Sequence, residues 1–303
     1  MFTREILQSL RDQGIVSIKD GRCVVNSEQG KVRRISLPNT VEGALGLAIG
    51  NLNPEQMLVL KVISVFRRAA TEASIISLCR DVMKKKSKVL QHLQYLTEHV
   101  YLDAVQEGGG GAWTYSFRNA SLRAHVYNML KFRRKEQLHT KAATLIEGMW
   151  AGFDNTKMVQ ETNAMLGHHW SRAAEEERYR AIPYLIDCAS FAQSSYQHNS
   201  VVHYLEEATK LYRSLDDKGR ELCAIDPKKY VNMCQTLGSA YLSIDELDLA
   251  SNTFSECLLV IGEAVPGEGE IWAANAYLQL RSALLGSGCT LPCIPTNKML
   301  MQG

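Results

Sequence analysis

The stretch EGGGGAWTYSFRNA, residues 107–120, could do chemistry because consecutive glycines can present backbone N–H groups to a phosphate. Such a loop binds phosphate when a strand precedes it and a helix follows it at once. Here Trp113, Tyr115 and Phe117 alternate with small or polar residues, which is the period of a half-buried strand. Residues 99–105 are short, apolar and rich in strand-forming types, and no GxxxxGK(S/T) motif occurs. We therefore interpret residues 108–111 as the tip of a β-hairpin.

Histidines are the other candidates for chemistry at a site. His168 and His169, together with His139 or His203, could be considered as metal ligands, but the paired Cys/His spacing of a zinc site does not occur. We interpret these histidines as first-helix residues at the surface of a repeat. No GxSxG nucleophile motif is present either. The sequence therefore predicts no catalytic residue and no metal ligand.

Composition places the chain among folded proteins with about two domains. The chain has 303 residues, 46% of them hydrophobic and 22% charged, and its net charge of +2 creates no global attraction to nucleic acid or an anionic membrane. Its cysteines are scattered through helical patterns, which favours free thiols in a reducing compartment over a disulfide framework. No stretch approaches the apolar length that spans a bilayer, and the first residues lack the apolar core of a signal peptide. We expect a cytoplasmic protein without membrane insertion.

Most elements predicted before residue 100 are helices. Residues 3–13 predict an amphipathic helix, and two apolar runs around Asp20-Gly21 predict a hairpin. Residues 55–70 are apolar on nearly every side and predict a helix inside the domain, with Asn53 available to cap it. Residues 71–79 and 84–100 predict two further helices.

With the hairpin, residues 51–132 have the order helix, helix, helix, strand, glycine-tipped loop, strand, which is the order of a winged helix. A winged helix can bind DNA, and Lys84, Lys85, Lys86 and Lys88 lie at the start of the helix that would enter a groove. Because cations oppose the dipole at a helix N-terminus, a phosphate or a neighbouring acidic surface could compensate them. A solvated turn is the alternative. The domain lacks the broad basic excess that DNA binding requires, so we do not expect nucleic acid as a partner.

Residues 133–285 predict an irregular α-solenoid that is similar to tetratricopeptide repeats, which makes the chain mostly α. In residues 234–258, CQTLGSAYLSIDELDLASNTFSECL, six positions match the repeat spacing: Leu237, Gly238, Tyr241, Ala250, Phe254 and Cys257. Looser matches lie upstream. Residues 270–285 resemble the first half of a further repeat, and residues 286–303 predict a disordered tail. The residues expected to line or support a concave binding surface are Trp170, Tyr196, Tyr204 and Tyr241.

Several segments, in this order, resemble one family. They are residues 1–25, residues 37–66, residues 115–147, and LGHHWSRA through YLEEATKLY, residues 166–212. Over most of residues 1–260 the chain resembles the region that follows the ATPase core in signal-transduction ATPases of the STAND class, and above all in soluble (type 10) adenylyl cyclases. In that family, paired cyclase domains and a P-loop ATPase lie upstream and use ATP and a divalent metal. The resemblance implies that residues 1–50 are an ATPase-lid-like helix and hairpin with a connector, and that this chain binds no cofactor itself.

The resemblance also implies a nucleotide-sensor position. The family has Phe-x-His where this chain has Phe117-Arg118-Asn119, and Asn119 can form hydrogen bonds but cannot titrate. Our main hypothesis is a non-catalytic regulatory and protein-interaction fragment of a cAMP-signalling ATPase, whose partner is another protein or its own upstream ATPase core. A second hypothesis is adenylate cyclase activity with ATP binding, by family membership. A third is a winged-helix regulator that binds DNA through Lys84 to Lys88.

Overall fold

This computed structural model describes residues 16–19, 22–25, 43, 46, 49–106, 111–150, 156–223, 225 and 227–260. The chain is mostly helical and divides into two compact units, Met1–Leu138 and His139–Gly303. The predicted helix over residues 3–13, the Asp20-Gly21 turn, the glycine tip at residues 108–110 and everything predicted beyond residue 260 lie outside the described residues.

The first unit begins with the predicted hairpin. Strands β1 (Val16–Lys19) and β2 (Arg22–Val25) pair antiparallel, with Val16 opposite Val25 and Lys19 opposite Arg22. This register leaves two residues to connect the strands, the length that an Asp-Gly turn favours.

Helix α1 (Pro54–Ser64) is the apolar helix predicted over residues 55–70, but it ends six residues earlier. The predicted cap is confirmed, because the Asn53 Oδ1 atom accepts a hydrogen bond from the Gln56 backbone N–H at 2.8 Å, and the Gln56 side chain accepts one from the Asn53 N–H at 2.9 Å. The predicted C-terminal extension is wrong. Ala70 is not part of this helix but pairs with Tyr115 in a sheet. This tertiary pairing outweighs the local apolar pattern, which favours a longer helix.

A three-stranded antiparallel sheet follows, with the order β3-β5-β4. Between β3 (Ala70–Thr71) and β4 (Leu102–Gln106) lie helices α2 (Glu72–Cys79) and α3 (Lys86–Glu98), and β5 is Trp113–Phe117. The predicted hairpin of β4 and β5 is confirmed, with Leu102 opposite Phe117 and Gln106 opposite Trp113. Leu102 and Tyr115 are on its buried face.

Two helices complete the first unit and lead into the second. They are α4 (Ala120–Asn128) and α5 (Phe132–Trp150), and the boundary between the two units falls within α5. In the first unit the core is formed by residues of α1, α2 and α3 that are completely inaccessible to solvent: Val59, Leu60, Val62, Ile63, Ile75, Val89, Leu93 and Leu96.

The second unit is a succession of helices that pack on their neighbours. After α5 come α6 (Thr156–Trp170), a 3-10 helix (Glu175–Arg180), α7 (Ala181–Ser194), α8 (His198–Ser214), α9 (Asp217–Cys223), α10 (Pro227–Ser243) and α11 (Leu247–Val260). Two glycines allow neighbouring helices of this unit to approach closely. A Cβ atom added at Gly238 would lie 2.5 Å from Phe254 Cε1, and one added at Gly167 would lie 3.0 Å from Leu185 Cδ2.

Helices α8 and α10 run antiparallel. Tyr212 stacks on Tyr230 with ring centroids 4.7 Å apart, whereas Glu206, nearer the start of α8, contacts Tyr241, near the end of α10. The α7–α8 turn and the α10–α11 turn therefore lie at the same end of these helices. We call this end the turn end, defined by residues 195–197 and 244–246.

Candidate interaction surfaces

Two of the four aromatic residues predicted to line or support a surface are buried. Trp170 has no exposed surface; its Nε1 donates to Glu147 Oε1 at 2.8 Å, and the Arg180 guanidinium lies 3.9 Å from its ring centroid. Tyr241 is 6% exposed, and its hydroxyl donates to Glu206 Oε1 at 2.5 Å. Both side chains stabilise the helix packing from inside.

The other two aromatic residues reach solvent to different extents. Tyr204 is half-buried on α8, with its ring centroid 5.5 Å from that of His203. Tyr196 is 82% exposed and lies in the α7–α8 turn, at the turn end. Of the four predicted residues, Tyr196 therefore has the side chain most exposed to another molecule.

Tyr196 also has an unfavourable backbone conformation. Its φ is 55°, in the left-handed region that favours glycine. Two hydrogen bonds require this conformation: the Tyr196 N–H donates to the Gln193 carbonyl at 3.0 Å, and the Gln197 N–H donates to the Ala192 carbonyl at 2.9 Å. Together they form a Schellman motif, which ordinarily places glycine at this position.

The same motif ends α10 and α3. Asp245 has a φ of 65°, and the Glu246 N–H donates to the Tyr241 carbonyl at 3.0 Å. Val100 has a φ of 70° after α3. Asp245 lies at the turn end, as Tyr196 does, and aspartate tolerates the left-handed region better than tyrosine does. It is therefore a natural comparison for Tyr196.

Other exposed apolar side chains lie on α11 near the turn end. Leu247 and Leu249, in the first turn of α11, are 48% and 43% exposed. The turn end thus combines an exposed tyrosine with exposed leucines on a neighbouring helix.

Sequence reasoning missed a carboxylate that joins several helices of the second unit. Glu147 on α5 accepts hydrogen bonds from Trp170 Nε1, from the Tyr184 hydroxyl at 2.9 Å and from Arg180 Nη2 at 2.6 Å. Burial, followed by the hydrogen bond to Glu147, raises the pKa of Tyr184 to about 12. The three donors are 23 to 37 residues away from Glu147, so no local pattern could have indicated this network.

A second cluster holds α8, α10 and α11 together. Arg213 donates to both carboxylate oxygens of Glu256, and the Tyr230 hydroxyl donates to Glu256 Oε1 at 2.8 Å. Because the arginine and the tyrosine both donate to a carboxylate within the fold, we interpret this cluster as structural.

Two of the histidines that we predicted at the surface of a repeat are buried. His139 on α5 and His169 on α6 are 0% and 1% exposed, and their Nδ1 atoms are 3.0 Å apart. The expectation of a surface position is wrong for both, because the two rings face one another between the helices. A hydrogen bond between two ring nitrogens requires one unprotonated acceptor. Burial, and then the charge of Arg172, lower the pKa of His169 to about 3.

The lysine cluster is partly compensated by acidic side chains on neighbouring helices. Lys86 Nζ lies 3.8 Å from Glu72 Oε1, and Lys88 Nζ lies 3.3 Å from Glu55 Oε1. Hydrogen bonds from His92 and Lys88 lower the pKa of Glu55 below its ordinary value. Lys84 and Lys85 are exposed. Glu72 and Glu55 therefore provide the neighbouring acidic surface that was considered from the sequence as one way to compensate the lysines of α3.

Asn119 caps helix α4. Its Oδ1 atom accepts hydrogen bonds from the backbone N–H groups of Ser121 at 2.8 Å and Leu122 at 3.3 Å. The amide oxygen that we considered for nucleotide sensing is therefore oriented by the first turn of α4.

Cys79, Cys188, Cys223 and Cys234 have free thiols. Burial raises the pKa of Cys79, Cys188 and Cys234 to about 12 and that of Cys223 to about 11. Thiols with such pKa values are poor nucleophiles at neutral pH.

Within the described ranges, no three His, Cys, Asp or Glu side chains are grouped so that they could hold a metal ion. No helix in the described part of the chain is long and apolar enough to cross a bilayer. The chain matches no protein-family model, and searches of curated proteins and of solved structures also found no match.

Proposed function

We propose that the chain is a non-catalytic, regulatory protein-interaction module made of a winged helix and an irregular TPR-like α-solenoid. In this proposal it corresponds to the arm that follows the ATPase core in soluble adenylyl cyclase-like STAND ATPases. It acts in the cytoplasm, in cAMP signalling, by binding that ATPase core or another protein. The observation that carries the proposal is Tyr196, an exposed aromatic residue in a conformation that favours glycine.

The order of elements in the first unit supports the winged-helix assignment. The order from α1 to β5 is helix, strand, helix, helix, strand, strand, and in a winged helix the segment that joins the last two strands is the wing. In the second unit the contact between Gly238 and Phe254 supports the TPR-like assignment, because a glycine on the first helix of a repeat admits an aromatic residue of the second.

Packing within the fold gives no reason for a tyrosine at position 196. A tyrosine in the left-handed region lowers stability by about 1–2 kcal/mol relative to glycine. Because the ring is 82% exposed, burial of apolar surface offsets little of this cost. Strained residues that stay exposed are candidates for functional contacts. Tyrosine is also among the residue types that contribute most at protein interfaces.

A position-specific cross-linking experiment tests the proposal. A photoreactive benzophenone amino acid is placed at position 196 or at position 222, and each purified chain is irradiated with the purified ATPase core of a soluble adenylyl cyclase. Leu222 is 52% exposed on α9, which follows the C-terminal end of α8 and lies away from the turn end. Position 196 is expected to cross-link to the ATPase core, and position 222 is not.

Equal cross-linking at the two positions would show that the contact is unspecific, and no cross-linking at position 196 would remove the turn end as the binding surface. Mass spectrometry of the cross-linked product identifies the face of the ATPase core that the turn end contacts.

A further inference from the structure

The turn between α4 and α5 exposes apolar side chains. Phe132 is 69% exposed and Met129 is 44% exposed, whereas Leu130 between them is 7% exposed and anchors the turn in the first unit. Phe132 is the first residue of α5, so a polar residue there would cost the packing little. We call residues 129–135 the basic–aromatic turn.

Four cations lie beside these apolar residues in the sequence: Lys131, Arg133, Arg134 and Lys135. Lys131 and Arg133 are exposed, Arg134 Nη1 contacts Gln137 Oε1 at 3.4 Å, and Lys135 Nζ lies 4.5 Å from the Tyr127 ring centroid. Among the described residues, no carboxylate forms an ion pair with any of the four. The first turn of α5 contains no acidic residue, so its cations oppose the helix dipole.

The lysine cluster at α3 provides a comparison within the same unit. Its Lys86 and Lys88 lie beside Glu72 and Glu55, and these two carboxylates of the same chain offset part of the positive charge. The basic–aromatic turn has the same number of cations and no such carboxylates. Its charge is therefore available to an external anionic surface.

We propose that the basic–aromatic turn binds the surface of an anionic lipid bilayer, with Phe132 and Met129 entering the interface and the exposed cations Lys131 and Arg133 contacting lipid headgroups. Duplex nucleic acid would use the cations but would gain little from an exposed phenylalanine, and a single strand could stack a base on Phe132 but would gain little from Met129. A lipid interface uses both, because apolar side chains partition into it while basic residues meet anionic headgroups. The binding is peripheral and does not depend on the proposed function above.

A local cluster can act in this way although the whole chain carries a net charge of only +2. At physiological ionic strength charges more than about 8 Å apart are screened from one another, so the bilayer responds to the nearby cations. Each basic residue close to an anionic leaflet strengthens binding about fivefold.

Co-sedimentation of the full chain with vesicles tests the proposal. The vesicles contain phosphatidylcholine alone or phosphatidylcholine with about one third phosphatidylserine, a composition that gives a negative surface potential. We expect binding to the anionic vesicles, a loss of at least about fivefold for Phe132→Ser, and a loss of at least about tenfold for the double variant Lys131→Glu, Arg133→Glu. Phe132→Trp is expected to bind at least as well as the original chain.

The double variant Lys84→Glu, Lys85→Glu is the matched control, because it reverses two exposed cations of the same unit outside the basic–aromatic turn. It is expected to reduce binding by less than about twofold. The proposal is overturned if anionic vesicles do not bind the chain, if the two charge reversals have equal effects, or if Phe132→Ser binds as well as the original chain. The last outcome would indicate general electrostatic attraction, such as that to an acidic protein. Circular dichroism checks that each variant is folded.

Discussion

At the scale of single residues, the buried pair of His139 and His169 makes stability depend on pH. In the folded state the pKa of His169 is lowered to about 3, whereas the ordinary value is 6.5. The unfolded chain therefore binds a proton below pH 6.5 that the folded chain excludes. The stability from the neutral ring is fully present above pH 6.5 and is lost as the pH falls from there toward 3.

We predict that acidification to pH 5 lowers the free energy of unfolding by about 2 kcal/mol through this group. Urea unfolding at pH 7, 6 and 5 measures the change. His169→Gln is expected to flatten the profile, and His203→Gln, at an exposed position on α8, is the matched control. A profile that keeps its slope in His169→Gln would contradict the assignment.

Asn119 gives a second prediction at this scale. Asn119→Ala removes the acceptor for two N–H groups of α4 and is expected to cost about 1 kcal/mol of unfolding free energy. Asn119→Asp keeps an acceptor at the same position and is expected to cost much less. If thermal unfolding of the two variants is the same, the side chain does not act as a cap.

Residue roles were only partly predictable from sequence. Asn53 could be predicted as a cap because it directly precedes Pro54 at the start of an apolar helix, and the observed bond to Gln56 is equally local. The burial of His169 could not be identified, because it depends on His139, which is thirty residues distant. The exposure of Tyr196 and the burial of Trp170 depend on how helices pack, and the sequence pattern marks both simply as aromatic.

At the scale of elements, the contact between α10 and α11 depends on the absence of a side chain at Gly238. A Cβ atom there would lie 2.5 Å from the Phe254 ring, whereas one at Gly148 on α5 would have nothing within 4 Å. Glycine disfavours a helix, so alanine should help wherever space allows.

We therefore predict opposite effects from the same substitution. Gly238→Ala is expected to cost roughly 1–3 kcal/mol through overpacking, and Gly148→Ala is expected to gain roughly 0.5–1 kcal/mol. Guanidinium unfolding measures both. A stabilising Gly238→Ala would mean that α10 and α11 do not approach as closely as described.

The order of elements could be predicted better than their ends. Periodicity gave the hairpins and the helices after β5 because these patterns are local. It extended α1 too far, since Ala70 is apolar in a helix and equally suited to the strand that pairs with β5. It also placed the end of α3 at Val100, two residues beyond the observed end at Glu98, and Val100 with its φ of 70° lies outside the helix.

At the scale of the whole molecule, the chain consists of two units that differ in architecture. The first combines helices with a small sheet, and the second is a series of helices joined by polar clusters at Glu147 and Glu256. The described charges and hydrogen bonds that sequence reasoning considered for chemistry, at Asn119, His169 and Lys88, are directed toward the fold itself. Among the described residues, the outward-facing groups that carry our proposals are Tyr196 at the turn end and, in the first unit, Phe132 with the exposed cations Lys131 and Arg133.

The measurement that tests the interaction role most directly compares stability with affinity in one variant. Tyr196→Gly relieves the left-handed conformation and removes the exposed ring, so its unfolding free energy is expected to rise by roughly 0.5–1 kcal/mol. Calorimetric titration against the ATPase core of a soluble adenylyl cyclase is expected to show affinity lowered at least about tenfold. Asp245→Gly relieves the same conformation at the same end of the helices and is expected to leave affinity unchanged. A Tyr196→Gly chain that binds as tightly as the original would contradict the account.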